Sequence, residues 1–260
     1  MTKKALTILL TVLLFLSVVA LGSSTVFRVD EVAISATVVS QEAKADAEQL
    51  KDELTAFYKN ESIFSVKQEA MAEIIAKYPY FRVKEFKKAY PDKIVITVEE
   101  EGEVYAVENA DGSYYILGEN GTVLVSRNSS QNRLDNAENV LLKGLSVTGE
   151  KGNDLQGDEC WNSLFTLCKT MDETLGGIRS NVLSVQVLTR TPQTFYLVTM
   201  REGIKIYVGN PFAMTEEKAR KAMNEYMALS SEQRMTGRLT VRDAEGEIFV
   251  VYSAKDEFEY

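Results

Sequence analysis

Two carboxylate runs, Glu99-Glu100-Glu101 and Asp256-Glu257-Phe258-Glu259, are the first candidates for chemistry in this chain. Paired carboxylates hydrolyse glycosidic bonds when one group donates a proton and the other attacks or activates water. That chemistry needs two groups held at a defined separation across a cleft, and adjacency in sequence supplies no such separation. Acidic runs of this kind read as solvated charge. Histidine is absent from all 260 residues, which removes His-based triads, HExxH zinc sites and the commonest general base. There is no Walker A glycine loop, Gly-x-Ser-x-Gly elbow, Ser-x-x-Lys pair or EF-hand loop. The expectation is a protein that is not an enzyme, with no catalytic residues, no cofactor and no metal.

Other chemistry-bearing residues have plainer readings. Cys160 and Cys168 lie eight residues apart, which on a helix separates their Cα atoms by about 12 Å, too far for a disulfide. Both read as buried small hydrophobes, so packing must hold the fold together. Trp161 reads as a core anchor, with a partner hot spot as the alternative. Asn60, Asn120 and Asn128 begin N-x-Ser/Thr triplets, a pattern common in polar loops. Glu173 to Gly177 reads as a helix ending on glycine rather than a phosphate loop.

The N-terminus carries the strongest compositional signal. Between Lys4 and Arg28 lie 23 residues without a charge. As a helix they would span roughly 34 Å, enough for a bilayer core of about 30 Å. Lys3 and Lys4 precede the run and Asp30 and Glu31 follow it, so the positive end is expected inside and the rest of the chain outside the cytoplasm. A cleaved signal peptide, with Ala20 and Gly22 at its small-residue positions, is the rival reading. Omitting Lys3 and Lys4 leaves 27 basic against 38 acidic side chains, a net charge of −11. Such a surface is repelled by nucleic acid and by anionic lipid.

Val29 to Val39 alternates like a strand, and Ser40 can cap a helix that repeats Ala43, Ala47, Leu50, Leu54 and Phe57. A second helix is predicted over about Lys67 to Lys77, ahead of Pro79. Two strands follow around Tyr90-Pro91-Asp92, the second placing Ile94, Ile96 and Val98 on one face. Tyr58, Tyr78, Tyr80, Phe81 and Tyr90 are expected to pack where the helices meet the sheet. From Glu103 short strands alternate with glycine turns. A helix is predicted around Asp158 to Leu175 and strands at about 182–188, 194–199 and 204–208. Another helix runs from Thr215 to about Leu229, and two final strands, GRLTVRD and EIFVVYS, close around Ala244-Glu245-Gly246.

This order of parts resembles the bacterial division proteins FtsQ and DivIB. Phe27-Arg28-Val29-Asp30-Glu31-Val32 is similar to the opening strand of that family's polypeptide-transport-associated (POTRA) module. Ser62 to Val66 is similar to the segment before its second helix, and Tyr78 to Glu100, YPYFRVKEFKKAYPDKIVITVEE, to its closing hairpin. Further on, YYILGENGTVL, LLKGL, IKIYVGNPFAMTEEKARKAMNEY and GRLTVRD resemble successive segments of the family's second domain. The chain departs from the pattern at Ala36 and Thr37, at Glu101-Gly102-Glu103 and at Thr240.

The resemblance implies an α+β protein with one N-terminal transmembrane helix, a β-α-α-β-β POTRA module and a larger mixed β-rich domain with two helices. The corresponding spans are a cytoplasmic stub at 1–4, a membrane helix at 5–27, the module at 28–101, the β domain at 102–253 and a polar tail at 254–260. It also implies a non-enzymatic scaffold at the division septum of the cell membrane. Its partners would be FtsL and DivIC (FtsB in some bacteria) and the septal wall synthesis machinery. Carried over by position, partner binding falls on the last strand: Glu247, Ile248, Phe249, Val250, Val251, Tyr252 and Ser253. An edge strand there can accept a partner strand through its backbone; Tyr252 and the neighbouring backbone are expected to carry the contact. The alternative is an extracytoplasmic POTRA-type module that binds peptides or wall fragments.

Overall fold

In a computed structural model that describes residues 11–14, 26–38, 40–109, 111–128, 139–190 and 193–255, the chain divides into two units, Met1–Glu101 and Gly102–Tyr260. Both are α+β. The first contains β1 (Glu31–Thr37), α1 (Gln41–Tyr58), a 3-10 turn (Glu69–Met71) leading into α2 (Ala72–Ile75), β2 (Phe81–Ala89) and β3 (Lys93–Glu100). The strands form a sheet in the order β1-β3-β2, with β3 parallel to β1 and antiparallel to β2. Alternation in β3 decides the buried face: Ile94, Ile96 and Val98 are buried, as are Leu50, Leu54 and Tyr58 of α1 and Met71.

Two members of the acidic run have structural work. The Ser40 hydroxyl accepts the Ala43 N–H at 3.1 Å and caps α1, while the Ser40 N–H donates to both carboxylate oxygens of Glu100 at 3.1 Å. Glu99 accepts from Lys84 at 3.0 Å and Arg82 at 2.7 Å. These two contacts hold the Glu99 carboxyl below its ordinary range. Asp256 to Glu259 lie outside the described residues.

Three expectations for this unit are corrected. The helix over Lys67 to Lys77 shrinks to a 3-10 turn and one α turn. The Tyr58 hydroxyl donates to the Lys67 carbonyl at 2.9 Å, and the Met71 N–H donates to the Gln68 carbonyl with the tighter i→i+3 spacing. Phe57 is exposed, since the buried stripe of α1 runs through Leu50, Leu54 and Tyr58 instead. Tyr90 is also exposed, at the β2–β3 turn, whereas Tyr58, Tyr78, Tyr80 and Phe81 are buried.

The transmembrane helix expected over 5–27 is corrected as well. Among the described residues no helix is long and apolar enough to cross a membrane. Thr11 to Leu14 form a single helical turn, roughly 6 Å of rise against the ~30 Å a span requires. Residues 5–10 and 15–25 of that run lie outside the described residues.

The second unit holds β4 (Tyr105–Glu108), β5 (Tyr114–Leu117), β6 (Val123–Arg127), β7 (Val140–Lys143), α3 (Trp161–Leu175), α4 (Ile178–Asn181), β8 (Val182–Arg190), β9 (Gln193–Met200), β10 (Lys205–Gly209), α5 (Thr215–Ala228), α6 (Ser231–Met235), β11 (Arg238–Ala244) and β12 (Glu247–Ser253). Its strands form one mixed sheet ordered β12-β11-β10-β9-β8-β7-β4-β5-β6. The two long helices expected, α3 and α5, are joined by two short ones, α4 and α6. Leu164, Leu167, Met171, Ala219 and Met223 of α3 and α5 pack with Val185, Val198, Ile206 and Val241 in the main core. Trp161 is buried and stacks on Phe165 with ring centroids 5.3 Å apart. Gly176 takes a left-handed φ of 67° and ends α3.

Candidate partner-binding edge

The last two strands form a hairpin whose tip is Glu245-Gly246, with φ of 54° and 82°. Two positive φ values define a type I′ turn, whose twist matches that of the strands it joins. The register is Ala244↔Glu247, Asp243↔Ile248, Arg242↔Phe249, Val241↔Val250, Thr240↔Val251, Leu239↔Tyr252 and Arg238↔Ser253. In such a hairpin the pair flanking the turn exchanges hydrogen bonds, and bonded and non-bonded pairs alternate from there. The N–H and C=O groups of Glu247, Phe249, Val251 and Ser253 therefore point at β11. Those of Ile248, Val250 and Tyr252 point away from it, along the sheet's edge.

That edge is only partly satisfied. Lys221 on α5 donates its Nζ to the Ile248 carbonyl at 3.1 Å, which caps the half nearest the turn. Among the described residues, nothing is hydrogen-bonded to the outward backbone groups of Val250 and Tyr252. The opposite edge of the sheet differs. The Val123 N–H at the start of β6 donates to Asn153, and the Val123 carbonyl accepts from Gly152, each within 2.9 Å. A loop thus occupies part of that edge.

Side chains on β12 divide by the period of two. Ile248 is buried in the main core, with Val250 and Tyr252 packed beside it. Phe249 and Val251 face the other way and are 49% and 61% exposed. Across the ladder Phe249 has Arg242 as its neighbour and Val251 has Thr240. Glu247 is exposed beside the turn, and Ser253 is half-buried with its hydroxyl donating to the Lys255 carbonyl at 3.2 Å. Tyr252 was expected to carry the contact. Its ring packs toward the core, so it offers an outward-pointing backbone, and the exposed side chains are Phe249 and Val251.

A buried cation fixes the tip of this hairpin relative to α5. Lys218 is fully buried, donates to the carbonyls of Gly209 at 3.0 Å and Asn210 at 2.6 Å, and pairs with Asp243. The bond from Lys218 is the main cause that holds the Asp243 carboxyl below its ordinary value. At the other end of the hairpin, Gly237 has φ of 82°, and a Cβ there would run into the Ser253 carbonyl. Sequence reasoning missed Lys218, Lys221 and Gly237. Counting outward from the Glu245-Gly246 turn would have identified which backbone groups face the edge; nothing in the sequence points Lys218 at Asp243.

Among the described residues the remaining candidates form no assembled site. Cys160 and Cys168 are both free and buried; burial pushes the Cys160 thiol up to about 11 and raises the Cys168 thiol as well. Among the described residues no group of three or more cysteine or carboxylate side chains is placed to hold a metal ion. No protein-family model matches this chain, and no curated protein sequence matches it.

Proposed function

We propose that this chain is a non-enzymatic division scaffold of the FtsQ/DivIB kind, with a POTRA-like first unit. It acts at the outer side of the cell membrane, binds FtsL and DivIC/FtsB-like proteins, and through them helps control septal wall synthesis. The observation that carries the reading is the position of β12, Glu247 to Ser253, as the terminal strand of the nine-stranded sheet. Its outward backbone at Val250 and Tyr252 can bond an added strand, while Phe249 and Val251 supply an apolar contact beside it. The β-α-α-β-β order of the first unit supports the same reading.

The test is co-elution of the chain with co-produced FtsL and DivIC from the same cell type. A complex lost in a folded Val250→Pro variant supports both function and surface. A complex that survives Val250→Pro and Phe249→Ser moves the surface elsewhere. No complex at micromolar concentration overturns the scaffold role.

A further inference from the structure

The chain enters its first unit through Val26, Phe27 and Arg28, at the end of the uncharged run that begins after Lys4. Backbone bonds hold this point firmly. The Ile63 N–H donates to the Phe27 carbonyl at 2.9 Å, and the N–H groups of Asp30 and Glu31 reach the Asp92 carbonyl at 2.9 and 3.3 Å. Three connections therefore meet at one end of the small sheet, and each contributes an aromatic ring. Phe27 and Phe64 have centroids 5.0 Å apart, and Phe64 and Tyr90 5.8 Å apart.

These rings lie outside the core. Phe64 is 61% exposed, Tyr90 60% and the adjoining Val26 53%. Aromatic rings gathered on a surface mark a contact site when several adjoin, whereas single exposed apolar residues need no explanation. The geometry points to a lipid bilayer surface as the occupant, with Phe27, Phe64 and Tyr90 seated at headgroup depth.

Two observations select lipid over a protein partner. In the sequence Phe27 follows, by six positions, the stretch Ala5–Leu21, which has no charge and no strongly polar side chain beyond Thr7, Thr11 and Ser17. Apolar surface of that extent favours lipid over water, and an occupant that takes it up lies within reach of Phe27 and its neighbours. Phenylalanine and tyrosine rings suit that zone, and the tyrosine hydroxyl remains wet there. The charges around the cluster are also mixed. Arg28, Lys88 and Lys93 are set against Asp30, Glu31 and Asp92, with Lys93 paired to Glu31 at 2.7 Å and Lys88 donating to the Phe64 carbonyl at 3.5 Å. A balanced rim of this kind fits zwitterionic headgroups. From Lys93 to Glu100, β3 then runs away from the cluster by roughly 23 Å at strand rise.

The test uses the full chain in phosphatidylcholine vesicles whose acyl chains carry bromine, a short-range quencher of tryptophan. Phe64→Trp and Tyr90→Trp report from the cluster, and Thr37→Trp from the far end of β1; each is measured against the parent, whose one tryptophan is the buried Trp161. Expected are loss of emission at 64 and 90 on binding brominated vesicles, and none at 37. Equal emission at all three positions in vesicle-bound chain overturns the proposal. So does a cluster shielded from acrylamide without vesicles, because the chain itself would then be its cover.

Discussion

At the residue scale, a few polar side chains do work that hydrophobic packing cannot. Lys218 is fully buried, so its three donors must find acceptors, and two backbone carbonyls and Asp243 provide them. Lys218→Met keeps the volume but strands two carbonyls and leaves Asp243 without its cation, and is expected to lower unfolding stability by about 2–4 kcal/mol in urea titration. The same contact sets a pH dependence. Because the folded-state Asp243 is depressed below its ordinary value, its contribution is present above the unfolded-state value and is lost as pH falls through the folded one. Asp243→Asn should therefore be less stable than the parent near neutral pH, with the difference closing in acid. A stability difference that stays constant with pH would contradict this role for the carboxylate.

At the element scale, the β11–β12 hairpin decides what the edge can offer. Proline at 250 removes an N–H that points outward, whereas proline at 251 removes one that bonds Thr240 within the hairpin. Val250→Pro gives up some packing against the core but no ladder bond, so it is expected to melt well above Val251→Pro and to lose partner binding in co-elution. Val251→Pro is expected to lose stability first, by circular dichroism melting, so its loss of binding would carry no information about the edge. Gly237→Ala tests the far end of the same element. A left-handed φ costs a residue with a Cβ about 1–2 kcal/mol, and here the added carbon also meets the Ser253 carbonyl. Faster amide exchange confined to Gly237–Ser253 is the expected signature.

At the scale of the whole molecule, each unit has a core of its own. Ile94 lies in the core of the first and Leu164 in that of the second, both without solvent exposure. Ile94→Ala and Leu164→Ala are each expected to cost about 2–5 kcal/mol. Hydrogen exchange should show increased opening in β1–β3 for the first variant and in the nine-stranded sheet for the second. A single shared loss of protection across both units would show that they unfold as one.

Local pattern alone determined most elements here, because burial in a strand follows a period of two and in a helix a period near four. Ile94, Ile96 and Val98 point inward as their alternation requires, and α3, α5 and the final hairpin lie close to where the apolar repeats and the Glu245-Gly246 turn place them. The same alternation separates Phe249 and Val251 from Ile248, Val250 and Tyr252, so the two faces of β12 were legible. Local pattern failed where a distant group intervened. The Lys67 carbonyl was claimed by Tyr58, which shortened the second helix, and Tyr90 sat on a turn beyond the core's reach. Which face of β12 is covered, that β12 ends the sheet, and that Lys221 and Lys218 reach across to the hairpin were decided by tertiary structure. A strand's own residues specify its two faces, but its neighbours and its covering layer are chosen by long-range packing among segments far apart in the chain.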